Sequence, residues 1–234
     1  MKTIIQDKSS LVNSVFSKVF KKYDLMNDIM SMGVHRIWKN KMITWMNPQP
    51  DESLVDVASG TGDIAKIFSK KNNNANKISC VEPNNEMFLL GRSNLNNLSN
   101  IKWYKAKAEQ LPFKNDVYDF YTISYGIRNV SNINLSLKEA FRVLKPGGRF
   151  MCLEFSKVNN EMINLLYQQY SKAIPFVGKY IIGSSKPYDY LIKSINEFYS
   201  QDELVDLMAC NGFSNIEYRN LSNGISAIHS GWKI

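Results

Sequence analysis

Residues 54–63 read LVDVASGTGD, and the fold is decided by how that stretch is read. Leu54, Val55 and Val57 favour an extended backbone and run into Ser59-Gly60-Thr61-Gly62, after which Ile64, Ala65, Ile67 and Phe68 recur at helical spacing. That pattern is a strand, a glycine turn and the start of a helix. Glycine admits the left-handed backbone of such a turn and leaves no Cβ between chain and ligand. The first N–H groups of the following helix have no intrahelical partner, so they face the ligand and favour its anionic end. A nucleoside with a negative group fits there, although the same turn also joins strands to helices in proteins that bind nothing.

Glu82 separates the two readings. It closes the next apolar run, 77–81, and stands twenty residues beyond Gly62, where a carboxylate accepts both ribose hydroxyls. Two cofactors satisfy this arrangement. Gly60-x-Gly62-x-x-Ala65 matches the fingerprint of a nicotinamide dinucleotide site. S-adenosylmethionine fits as well, because its short amino-acid end needs no pyrophosphate cradle.

Outward from the turn, strand and helix alternate. A helix is expected over about 85–95, a strand over 101–105, a loop over 106–113 and a strand over 116–124. A helix over 135–144 should stop at Lys145-Pro146-Gly147-Gly148, with the next strand over 149–155. Such alternation calls for a parallel sheet with helices on both faces and ligands at the C-terminal strand ends. Residues 156–199 break the rhythm with tyrosines 167, 170, 180, 188 and 190 and read as a helical insertion or lid. Ser200 and Glu203 form a capping box ahead of a last helix. Strands over 215–221 and 225–232 flank Asn223-Gly224, a hairpin signal. An antiparallel hairpin finishing a parallel sheet is the ending of class I methyltransferases. The expected fold class is therefore α/β, a class I S-adenosylmethionine-dependent methyltransferase fold with a mostly parallel seven-stranded sheet.

Before the turn, apolar residues recur at helical spacing over 11–20, 25–30 and 35–45, until Pro48 and Pro50. The expected division is a helical cap over 1–50 and a methyltransferase domain over 51–234. The first 47 residues hold eight Lys and Arg against three Asp, a face suited to anionic lipid over an apolar cleft.

Gross composition bounds the rest. The chain has 234 residues, 44% hydrophobic and 21% charged, which fits a globular domain and argues against disorder. Cys80, Cys152 and Cys210 are scattered, as expected in a reducing compartment without disulfides or a metal cluster. Two histidines, His35 and His229, are too few for a zinc site, so no metal is expected. No apolar run reaches the length of a signal peptide core or a membrane span. A net charge of +8 suits an anionic partner, but no run of five basic residues or RNA-binding signature points to nucleic acid.

Several longer stretches are more specific: KYDLMNDIMSMGVHRIWK (22–39), DVASGTGD (56–63), AEQLPF (108–113), TISYGIRNV (122–130), FRVLKPGGRF (141–150), LEFSK (153–157) and the terminal AIHSGWKI. In these the sequence resembles the UbiE family, the C-methyltransferases of ubiquinone and menaquinone biosynthesis, from about residue 15 onward. The resemblance implies S-adenosylmethionine as cofactor and a lipophilic quinol as substrate, either demethylmenaquinol or 2-methoxy-6-polyprenyl-1,4-benzoquinol. It implies cofactor contacts at Thr61, Glu82, Lys107, Ala108 and Ser124, beside the glycines Gly60 and Gly62. Ser59 stands where the family commonly has Gly, and Lys107 where Asn is usual. An ammonium cannot accept a bond from the adenine amino group, so that contact falls to backbone atoms or to Glu109. The expected setting is cytoplasmic, with peripheral contact on the inner face of the membrane and association with other enzymes of quinone biosynthesis.

A ring carbon attacks a sulfonium methyl well only when an adjacent phenol ionises, which calls for a base or a nearby cation. Arg128 is the expected phenolate stabiliser and His35 the second catalytic candidate. The competing readings are a salt bridge beneath the sheet end for Arg128 and a packed histidine for His35. A short-chain reductase would want Tyr-x-x-x-Lys, and no tyrosine here has lysine four residues later. A small-molecule O-methyltransferase and a non-catalytic quinone-binding subunit with this fold are the remaining alternatives.

Overall fold

The structure, a computed structural model, describes residues 28, 31, 33–71, 73–158, 165, 169–170 and 186–234. The helices expected over 11–20 and 25–30, and most of the insertion over 156–199, lie outside the described residues.

All four residues of Leu54–Val57 (β1) and all four of Ile78–Val81 (β2) are buried. A strand buried on both faces needs a covering layer on each side, which is the condition of a parallel sheet between helices. The sheet continues with Ile101–Tyr104 (β3), Tyr118–Ser124 (β4), Leu144–Phe155 (β5), Ser214–Leu221 (β6) and Ser226–Trp232 (β7). Its order is β3-β2-β1-β4-β5-β7-β6. Pairings from β3 through β5 are parallel, and β7 runs antiparallel to both β5 and β6. This is the expected sheet, hairpin included.

Period-two alternation splits the strand residues between two cores. Leu54, Ile78, Phe120 and Met151 join one, with Trp38 and Met42 of His35–Met46 (α1) and Phe68 of Asp63–Lys71 (α2). Tyr188, Leu191 and Ile195 of Lys186–Asn196 enter the same core. Val55, Val57, Tyr121 and Phe150 join the other core, with Leu137 and Val143 of Ile133–Val143 and Leu204 and Met208 of Gln201–Cys210. Chain order makes Asn85–Asn94 α3, Ile133–Val143 α4, Lys186–Asn196 α5 and Gln201–Cys210 α6. Phe68 is fully buried, so its truncation to alanine would cost about 3–5 kcal/mol.

Helix starts follow local chemistry. Asn84 caps α3 through Met87 N at 3.0 Å, and Asn132 caps α4 through Leu135 N at 3.1 Å. Ser200 and Glu203 form the expected capping box on α6. One boundary differs from expectation. The KPGG segment lies inside β5 as a bulge, because Leu144 already pairs with Tyr118 before the register shifts to Phe120 with Arg149. Gly147 takes φ +78°, and its N–H donates to Lys233 O at 2.7 Å. The bulge thus pairs with the chain beyond β7, and α4 ends at Val143.

Strand order reverses between β1 and β4, so the chain connections diverge there and leave a crevice at the C-terminal strand ends. Among the described residues no helix is long and apolar enough to cross a membrane, and no cluster of His, Cys, Asp or Glu could hold a metal.

Candidate functional site

A cleft of about 370 Å³ opens at that switch point. Its wall comes from the turn after β1 (Ala58 to Thr61), from Asp56, Asp63 and Lys39, and from Ser124 and Tyr125 at the end of β4.

The turn is built as a close approach. Gly60 and Gly62 have φ of +56° and +87°. A Cβ on Gly62 would lie 2.5 Å from Leu95 Cδ1, and one on Gly91 in α3 would lie 2.7 Å from Gly60 O. Ser59 accepts from Val81 N at 3.1 Å and donates to Asp56 O at 2.6 Å. Its hydroxyl ties the turn to β2, which gives the departure from glycine at this position a structural use.

Glu82 reaches the turn because Val57 and Val81 pair in register. Its Oε2 accepts from Gly60 N and its Oε1 from Asn84 N, both at 2.9 Å. Burial pushes its pKa up to about 7 against the pull of those two bonds. A carboxylate offers about four lone-pair positions, so two remain for ribose hydroxyls.

Gly60, Thr61 and Ser124 line the cleft together, whereas Gly62, Glu82, Lys107, Ala108, Arg128 and His35 stand outside its lining. Ser124 Oγ is buried without a hydrogen-bond partner among the described residues. Lys107 is exposed and bridges to Gln110, next to buried Ala108. Glu109 Oε1 accepts from Ser131 N at 2.6 Å and Asn132 N at 3.2 Å. That oxygen holds the approach to α4, which leaves backbone atoms of 107–108 as the stronger candidates for the adenine edge.

Arg128 sits in the 3-10 turn Ile127–Asn129, ion-paired with Glu154, and its Nη1 donates to Tyr125 O at 3.0 Å. Its guanidinium also lies 5.6 Å from the centre of the Phe155 ring. The competing salt-bridge reading describes this arrangement: the cation is enclosed at the ends of β4 and β5, and Glu154 offsets its field. Next to it, the Tyr190 hydroxyl of α5 donates to Asn129 Oδ1 at 3.0 Å.

His35 is 1% exposed, with Nε2 2.9 Å from Asp28 Oδ1. Its Nδ1 is buried with no partner among the described residues. Burial first, then the Lys39 cation, hold its pKa below the ordinary imidazole value, so the ring is neutral at pH 7. With Nε2–H donating to the Asp28 carboxylate, Nδ1 is left as the acceptor.

Sequence reading missed Lys39, Asp56 and Asp63. Lys39 Nζ is 2.7 Å from Asp63 Oδ2. Asp56 Oδ1 accepts from Thr122 at 2.8 Å, and its pKa rises to about 7 from burial, opposed by the Thr122 and Ser59 hydroxyls. A signal for Lys39 was present: it interrupts the buried stripe of Trp38, Met42, Ile43 and Met46.

Comparison with known proteins shows the family and the fold. Residues 2–233 match the ubiE/COQ5 methyltransferase family. The chain is 49% identical, over 97% of its length and 94% of the other's, to the ubiquinone/menaquinone biosynthesis C-methyltransferase UbiE of Rickettsia bellii. It is 44% identical, over 97% and 87%, to the protein of that name from Brucella suis. A solved S-adenosylmethionine-dependent methyltransferase from Thermotoga maritima, described as a possible histamine N-methyltransferase, superimposes with a TM-score of 0.68 at 21% identity, covering 94% of this chain and 99% of that one. The [4+2]-cyclase SpnF does so at 0.63 and 14% identity, covering 85% and 80%. Such distant likenesses carry the fold alone.

Proposed function

The chain belongs to the ubiE/COQ5 methyltransferase family, and from that membership we propose that it transfers the methyl group of S-adenosylmethionine to a ring carbon of a polyprenylated quinol in quinone biosynthesis. It is an S-adenosylmethionine-dependent C-methyltransferase. The observation that carries the reading is the match of 44–49% identity along 97% of the chain to enzymes named for that chemistry. The substrate is demethylmenaquinol, the methoxy-benzoquinol, or both.

S-adenosylmethionine supplies a methyl already activated on a sulfonium, which the ring carbon takes as the sulfur keeps the bonding electron pair. The protein's share is positioning, proton removal and exclusion of water. The residues fit such a cofactor, since Gly60 of the turn, held at positive φ, and the buried, unpartnered oxygens of Ser124 and Asp56 meet in one cleft. Gly60, Thr61 and Gly62 form the cradle, Glu82 takes the ribose, 107–108 the adenine edge and Ser124 a polar contact at the β4 end. His35, oriented by Asp28, accepts the quinol hydroxyl proton at Nδ1 and so raises the electron density of the ring. Arg128 positions the 126–129 turn beneath the substrate side.

The first 47 residues, with their excess of five positive charges, bring the enzyme to anionic lipid where the quinol is dissolved. Co-sedimentation with anionic but not neutral vesicles would support this, and equal, negligible binding to both would remove it. Mass spectrometry of quinones in a strain lacking the protein tests the activity itself. A quinone one methyl short should accumulate and vanish on complementation, and an unchanged profile would overturn the reading.

A further inference from the structure

The loop 105–113 joins β3 to β4 and carries the backbone proposed above for the adenine edge. It has no ladder of its own beyond the bridge between Lys107 and Gln110, so its other peptide groups need partners from elsewhere. Helix α4 supplies them. Arg142 donates from Nε and Nη2 to the two carboxylate oxygens of Glu139, at 2.6 and 2.7 Å, and the resulting pair grips the loop. Leu111 N donates to Glu139 Oε2 at 2.7 Å, Arg142 Nη2 donates to Leu111 O at 3.2 Å, and Arg142 Nη1 donates to Phe113 O at 2.7 Å. The Leu111 side chain is buried in the core that α4 shares with β1 and β4. Together with the Glu109 carboxylate on Ser131 N and Asn132 N, this fastens the loop at 109, 111 and 113, immediately after Lys107-Ala108.

An ion pair three residues apart on a helix needs neither a planar fork nor a loop beside it, and lysine would serve as well. Here every guanidinium nitrogen is used, and the rigid fork fixes its acceptors relative to one another. We propose that Glu139 and Arg142 are positioning residues for adenine: they hold the peptide groups at 111 and 113, and through them the 107–108 backbone that meets the base. This rests on the family reading and on the assignment of 107–108 to the adenine edge. Leu111 of AEQLPF and Arg142 of FRVLKPGGRF, 31 residues apart, thereby act as one unit.

Two ligands isolate the base. S-adenosylhomocysteine and S-inosylhomocysteine differ only there, where an oxo group and a ring N–H replace the amino group and a ring acceptor. In calorimetry, the wild-type protein should prefer S-adenosylhomocysteine by at least about tenfold, the size of a hydrogen-bonding group left unpaired. Arg142→Met should bring the two affinities within about threefold of each other by weakening S-adenosylhomocysteine alone. Arg142→Lys keeps a cation beside Glu139 but offers one nitrogen in place of a fork, and should cut the preference by at least about threefold. A purely structural clasp gives a different result: a lower melting temperature and equal losses for both ligands. An unchanged ratio of affinities in either variant would overturn the proposal, and if Arg142→Met does not fold, Arg142→Lys decides it. Wild-type protein that binds both ligands equally overturns this proposal alone, whereas failure to bind either overturns the family reading.

Discussion

Arg128, in the turn after β4, and Glu154, near the end of β5, form an ion pair in which both side chains are 1% exposed. Burial raises the Glu154 pKa and the Arg128 cation opposes that rise. Arg128→Ala leaves a buried carboxylate alone, a loss of about 3–5 kcal/mol. In a chain of this size that corresponds to a fall of roughly 6–20 °C in melting temperature. Arg128→Met combined with Glu154→Leu should melt above Arg128→Met alone, because the second change removes the orphaned charge. A thermal melt of the four proteins checks this, and an Arg128→Ala variant that melts like wild type would show that the pair contributes nothing.

Cofactor affinity should depend on pH through two carboxyls. Glu82 and Asp56 both have folded pKa values of about 7, against ordinary values of 4.5 and 3.8. Both must be ionised to accept ribose hydroxyls or an ammonium, so affinity for S-adenosylhomocysteine should rise between pH 6 and about 8 and level off above. Stability runs the other way. A carboxyl with a raised folded pKa favours the folded state when protonated, so its contribution is full below about pH 4 and is lost as pH rises through about 7. Asp56→Asn should therefore melt higher than wild type at pH 8 while binding the cofactor more weakly. A variant that melts lower and binds normally would contradict both halves.

Gly91 carries no part of the glycine motif yet touches it. An added Cβ would meet Trp103 Cη2 at 2.2 Å and Gly60 O at 2.7 Å, and backbone cannot swing aside. Gly91→Ala should cost about 1–3 kcal/mol of stability and push the turn toward the cleft. We expect cofactor affinity to fall by at least about tenfold while the far face, probed through α6 hydrogen exchange, stays protected. Unchanged affinity would mean that α3 yields instead of the turn.

His35→Gln should lower single-turnover rate with cofactor affinity held, since the change touches proton transfer and not the turn. Because burial and Lys39 keep the His35 pKa below 6.5, the acid limb of the wild-type rate profile should fall under that value. A variant with the wild-type rate and the same limb would remove His35 from the chemistry.

How much of this was legible depends on the range of the interaction. The β1 turn, its helix and the capping box are local, and their residues declare them. The twenty-residue spacing placed Glu82 beside the turn because it spans one helix and the strand that returns beside β1, and Val57 paired with Val81 is that spacing in three dimensions. The direction of its carboxylate toward Gly60 N was not legible, since it depends on two backbone donors fixed only after the strands pair. Arg128 could be read as a cation at a strand end, but its partner Glu154 is 26 residues away. The KPGG bulge was misplaced because Lys145-Pro-Gly-Gly has the composition of a helix stop, and only the pairing of Leu144 with Tyr118 makes it part of a strand. Lys39 was visible as a break in an apolar stripe, but nothing local says which anion it meets.

The position of β7 has a bearing on how the molecule assembles. In the sheet β7 lies between β5 and β6, and β6 has no other strand neighbour, although it precedes β7 in the chain. β6 therefore cannot join a growing sheet by itself: it must wait for β7, close the hairpin at 222–224, and dock with it as a unit. Until then the β5 edge stays open, with apolar residues on both faces and unpaired amides along its side, which is a template for another chain. Loss of the seven residues of β7 would leave two strands, β5 and β6, without their shared partner, so a lesion there should appear as aggregation during synthesis rather than as a weakened catalyst.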